Sequence, residues 1–201
     1  FRNMSFLGSG NSLASYNNIG LRFNGQKDNF VLESEWTLQT SSGTSSKNDV
    51  SASLFSFNLG YKPDGVGFLN SVFIGLDRIS GDDSSTETAE GFSKEFGARH
   101  KHHGFYDYTD HKKYFGHGHN GLNEINAKAN IDVLKRTNLL VALHNFRSAV
   151  KDIYYGNEVN FIFKTKHNDE VYSEIGSVFY FPDQGSEKTL PFFYLMITAN
   201  F

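Results

Sequence analysis

The stretch RHKHHGFYDYTDHKKYFGHGH, residues 99–119, holds six of the eight histidines of the chain: His100, His102, His103, His111, His117 and His119. Asp107 and Asp110 lie among them. Imidazole nitrogens beside carboxylates are ligands for Zn, Ni or Cu. No pair here has a fixed ligand frame of the HExxH kind, in which one helix face presents both nitrogens. The bland alternative is a polar loop whose His, Tyr and Lys pack on one another or fold into a mouth. On sequence alone no metal ligand and no cofactor is assigned.

Other residues invite chemistry with less support. Glu33 and Glu35, two apart in an extended segment, would share a face at a separation compatible with the carboxylate pair of polysaccharide cleavage and with many other roles. Every row of a polar strand face would look the same. The acidic run SGDDSSTETAE (80–90) lacks the alternating carboxylates and glycine of a calcium loop. No GxSxG elbow is present, and the absence of Cys removes thiol catalysis and zinc–thiolate sites. A non-enzymatic protein is expected. A net charge of -3 argues against a nucleic-acid partner held by a basic surface.

The elements that position these residues read as strands throughout. With 20 Phe, 10 Tyr and only 3 Pro, the composition favours β-structure. No apolar run approaches the roughly 18 residues of a membrane-spanning helix. Period-two alternation recurs at 19–24, 29–39, 50–61, 71–79, 122–133, 138–147, 158–166, 171–181 and 192–201, with a possible stub at 1–6. Most of these segments approach the ~9–11 residues of a tilted membrane-spanning strand. Their connections alternate long and short. GQKD, LKRT and HNDE are short and KPDGVGFLN is moderate, whereas TSSGTSSKND, 80–121, 148–157 and DQGSEKT are long. Long loops at one rim and short turns at the other are the habit of outer-membrane barrels.

Within several strands one face is apolar and the other carries charges or amides, as in LNEINAKANIDV (122–133). In a lipid-embedded barrel the polar face lines a wet lumen. Lumen candidates are Arg22, Lys128, Lys164 and Lys166, set against Glu33, Glu35, Asp77, Glu124, Asp132, Glu158 and Glu174. Trp36, Tyr61, Phe179 and Phe181 are read as girdle aromatics. Near the C-terminus, Phe193, Leu195, Ile197, Ala199 and Phe201 form one apolar row. This row looks like the terminal signature of bacterial outer-membrane barrel proteins, which the barrel-assembly machinery reads.

The expectation is an all-β, antiparallel transmembrane β-barrel in the bacterial outer membrane, in contact with lipid. It forms a single domain over 1–201, with an extracellular loop at 80–121. The opening FRNMSF, without an initiating Met, reads as a processed chain or the C-terminal part of a larger barrel.

One connection carries a sharper pattern. Asp77, Arg78, Ser80, Gly81, Asp82 and Asp83 are followed by His100, Lys101, Gly104, Phe105 and Asp107, and later by His144, Phe146 and Arg147. In these residues the chain resembles the alginate-export family of outer-membrane porins, although Ala98-Arg99 stands where that family usually carries Pro-Thr. The resemblance implies a passive channel for an anionic polyuronate, with a lumen rich in positive charge. Arg78 and Arg147 would join the four lumen bases near the outer rim if they point inward. The alternatives are a general porin and a plugged barrel acting as an adhesin or an outer-membrane hydrolase.

Overall fold

The computed structural model describes residues 2–7, 13–41, 49–83, 85–93, 103–106, 119–182 and 188–200. They form ten strands. The first five are β1 (Arg2–Leu7), β2 (Leu13–Lys27), β3 (Phe30–Ser41), β4 (Val50–Tyr61) and β5 (Leu69–Ile79). The second five are β6 (Leu122–Leu134), β7 (Thr137–Arg147), β8 (Tyr154–Lys166), β9 (Val171–Pro182) and β10 (Leu190–Ala199). Each pairs antiparallel with the next, giving one sheet in the order β1 to β10. Among the described residues β1 and β10 are its two edges, and no pairing closes them into a ring.

All nine expected strands are present, and the stub is a strand as well. The largest difference is β2, which begins at Leu13, well before the apolar alternation starts at Ile19. Backbone pairing such as Arg2↔Asn18 extends it, and side-chain alternation does not report that pairing.

The connections alternate between two rims, but their lengths sort less cleanly than expected: 62–68 is longer than 8–12 or 148–153 on the opposite rim, and the connection expected over 148–157 is shortened because β8 already begins at Tyr154. Tight turns at 28–29 and 135–136 place Asp28 (φ 50°) and Arg136 (φ 71°) in the left-handed region. Two-residue hairpins require that conformation. The 62–68 and 167–170 connections share that rim. The connections at 8–12, 42–49, 80–121, 148–153 and 183–189 all leave from the other.

Which face is covered is settled by neighbours on one strand: Glu124 is 0% exposed and Ile125 is 63% exposed. The same inversion runs across the sheet. Leu21, Ile74, Leu143, Ile175, Leu195 and Ile197 lie bare on one face, while Gln39, Asp77, Asn126, His144, Glu158 and Asn160 are buried on the other. A sheet that buried its apolar face around a core would show the reverse. Of the aromatics expected as a girdle, Tyr61 ends β4 against Phe30 at 5.2 Å and Phe179 and Phe181 lie near the end of β9, but Trp36 sits in the middle of β3 because it pairs there with Phe55.

The polar face is covered at the long-loop rim, where an apolar cluster of Val50, Ala52, Ile79, Leu122, Phe146 and Tyr180 closes over it. Ala89 and Phe92, from the 80–121 connection, complete that cluster. The connection therefore lies on the inner face of the sheet.

Candidate functional site

The site is built by the residues of the loop motif. Where β5 ends, the Ser80 hydroxyl accepts from the Ser53 N–H at 2.8 Å and donates to the Glu90 carbonyl at 2.6 Å. Gly81 lies so close to Asn120 that a β-carbon would overlap the backbone there. The Asp82 N–H donates to the His119 carbonyl at 2.6 Å, tying the two stems of the loop together. Ala89 pairs with Val50 in a parallel bridge. Further along, the fully buried Gln39 amide accepts from the Ser93 N–H at 2.8 Å and donates to the Ser93 carbonyl at 3.1 Å.

The acidic run makes turn bonds. Asp83 Oδ1 accepts from the Ser85 N–H at 3.0 Å, and Asp82 Oδ1 from the Glu90 N–H at 3.3 Å. The bonds from Ser85 hold the Asp83 carboxyl below its ordinary range, because they favour its charged form.

Residues 103–106 land on the far half of the sheet. The Phe105 N–H donates to Glu158 Oε1 at 2.6 Å, with the Tyr106 N–H at 3.4 Å from the same carboxylate. Gly104 (φ 83°) permits that approach, because a β-carbon there would overlap the Glu158 carboxylate. Glycine adopts such a φ at no steric cost. Phe105 stacks on Tyr194 with centroids 6.3 Å apart, and Tyr106 stacks on Tyr180 at 5.8 Å. The described parts of the loop thus touch the inner face at β3, β8 and β10.

Beneath it sits a polar layer. His103 Nδ1 is 2.6 Å from Glu124 Oε2 and 3.7 Å from Asp77 Oδ2. His144 Nδ1 is 2.7 Å from Glu124 Oε1, to which the Asn126 amide also donates at 3.1 Å. Asp77 and Glu124 are direct cross-strand partners. Together these groups can hold a proton, orient a polar solute or ligate a cation.

No family model matches the chain, and no curated protein does. Among the motif residues, Ser80, Gly81, Asp82, Gly104 and Phe105 help to dock the described parts of the loop.

Of the predicted lumen residues, Arg22, Lys128, Lys164 and Lys166 share the inner face with Asp77 and Glu124, by the cross-strand register. Arg22 lies opposite Glu35, and Lys164 opposite Glu174. Arg78 and Arg147 do not join them. Arg78 follows Asp77 in an extended strand, so it falls on the bare face with Ile74 and Leu76. Arg147 sits where the β7–β8 register shifts, ion-paired to Asp152 at 3.1 Å and 5.5 Å above the Tyr154 ring.

Phe193, Leu195, Ile197 and Ala199 form the bare row of β10 as expected. His100, Lys101, Asp107 and Phe201 lie outside the described residues.

Two features escaped the sequence reading. One is the convergence of His103 and His144 on Glu124; alternation placed Glu124 on the polar face but could not supply the register or the loop path. The other is a recess of about 340 Å³ at the short-turn rim, lined by Arg136, Lys164, Lys166, Asp169 and Tyr172. There Lys166 Nζ donates to Asp169 Oδ1 at 2.7 Å, which holds the Asp169 carboxyl below its ordinary range. Lys164 lies 4.3 Å from the centroid of the Tyr172 ring.

Proposed function

We propose that this chain is the wall of an outer-membrane β-barrel channel that passes an anionic polysaccharide of the alginate kind down its gradient. The observation that carries the reading is the inversion of the two faces, with the apolar face bare and the polar face sheltered. The strands from β2 to β10 run from 15 residues at the longest to 10 residues at the shortest. Such lengths are enough to cross hydrocarbon at a tilt. The sorting of loops by rim fits the same placement. Lipid does not tolerate open sheet edges, so in the membrane β1 and β10 pair, either with each other or with further strands.

The bases on the wet face, Arg22, Lys128, Lys164 and Lys166, are the contacts offered to the carboxylates of the solute. Each has a carboxylate or an aromatic ring nearby, or lies on a face shared with acids. Conduction requires such contacts to be weak enough to let the solute leave. Arg136 adds to the basic recess at the short-turn rim.

The test is planar-bilayer conductance of the purified protein, with oligo-uronates and neutral oligosaccharides added in turn. Channels blocked by uronates alone are expected. Open channels indifferent to uronates would leave a general porin. Confirmed insertion without conductance would favour a plugged barrel, a second reading supported by the seating of the described parts of the 80–121 connection on the inner face, at Gln39 and at Tyr194.

A further inference from the structure

Asp77 and Glu124 face each other across neighbouring strands, on the same side of the sheet, and both are buried. Like charges directly opposed in this way destabilise a sheet, and burial sharpens the conflict. Among the described residues no Lys or Arg ion-pairs with either carboxylate, and Lys128, on the same face of β6, makes no such pair. What the loop delivers into the gap is His103. Its Nδ1 and one oxygen from each carboxylate all lie within 4.8 Å of one another. Asp77 Oδ1 is buried without a hydrogen-bond partner. The other oxygen of Glu124 is held by His144 Nδ1 at 2.7 Å. An outer contact of this kind fixes a metal-ligating carboxylate in place.

We infer that Asp77, Glu124 and His103 form a binding site for a divalent first-row transition cation such as Zn²⁺, with His144 as the positioning residue. One imidazole nitrogen among carboxylate oxygens suits such a metal better than Ca²⁺ or Mg²⁺, which prefer all-oxygen shells. The cation neutralises the opposed carboxylates and ties the 80–121 connection to β5 and β6. The site stands on this geometry alone, independent of which solute the channel carries.

The test uses the intact protein in detergent, stripped with chelator and titrated with Co²⁺, whose visible d–d bands report bound metal, followed by competition with Zn²⁺. One ion per chain is expected, together with protection of the 80–121 connection from limited proteolysis. His103→Ala, which leaves the strands untouched, should abolish the stoichiometric site. His144→Ala should weaken it roughly 10–100-fold, as loss of an outer-shell partner does. Heat-modifiable gel mobility verifies that each variant keeps its sheet. Failure of the wild-type protein to take up a stoichiometric ion would overturn the inference and leave a hydrogen-bonded triad. Undiminished binding in folded His103→Ala would also overturn it, by placing the metal on other histidines.

Discussion

Gly104 shows how one residue type decides where the long connection sits. Its φ of 83° places it in the left-handed region, and its bare α-carbon lets the backbone close on Glu158. Residues that carry a side chain adopt that conformation only at a steric cost. Two neighbouring N–H groups then share the Glu158 carboxyl group in a buried setting. Gly104→Ala combines backbone strain with a steric overlap, for a cost of about 1–3 kcal/mol at this anchor. The expected outcome is faster limited proteolysis within 80–121 with far-ultraviolet β-structure unchanged; unaltered cleavage would mean that the anchor does not hold the loop. The motif Gly-Phe was visible in the sequence, but its partner, remote in the chain on β8, was not. Facing was legible where alternation is strict, as for Glu124 against Ile125. It failed for Arg78 because Asp77 and Arg78 cannot both face inward in an extended strand.

At the scale of elements, the strands were legible because each is a long period-two segment bounded by turn residues, and because its two faces differ so sharply in polarity. The 80–121 connection was legible only as a length. Its path depends on contacts with Gln39 on β3, Val50 on β4, Glu158 on β8 and Tyr194 on β10, which come together only once the register is set. These partners lie far from the connection in sequence, so no local pattern reports them. If the sheet walls a channel as proposed, the described parts of the connection, seated on its inner face, narrow the passage. Shortening residues 82–120 to a brief linker should therefore raise single-channel conductance several-fold in the bilayer experiment, with the sheet still assembled. An unchanged conductance would place the narrowest point elsewhere, with the basic rows of β6 and β8 the next positions to vary.

For the whole molecule, the two faces pose a question of solvent. A bare apolar face runs from Leu21 on β2 through Ile74 and Leu143 to Ile197 on β10. That extent far exceeds the roughly few hundred Å² of contiguous apolar surface usual on soluble monomers. Water and lipid assign opposite consequences to a charge placed there. Ile74 lies midway along β5, 61% exposed, with no polar neighbour on its face between Val72 and Leu76. If hydrocarbon covers that face, Ile74→Arg should cost about 2–4 kcal/mol, the penalty for an arginine at the bilayer midplane. If water covers it, the change should stay within about 0.5 kcal/mol, as for ordinary surface substitutions. Urea unfolding of the protein in lipid vesicles, followed by tryptophan fluorescence of Trp36, measures the difference directly. The lipid reading predicts the large value there, together with a fall in membrane-assembled protein in cells. A control on the opposite face, Ser71→Arg, is a weaker choice because Ser71 is buried beside Asn130. Thr198→Arg on β10 serves better, since it lies on the polar side, and should change stability little if that side is wet. A small effect at Ile74 would remove the membrane from this account and require a protein partner for the same face.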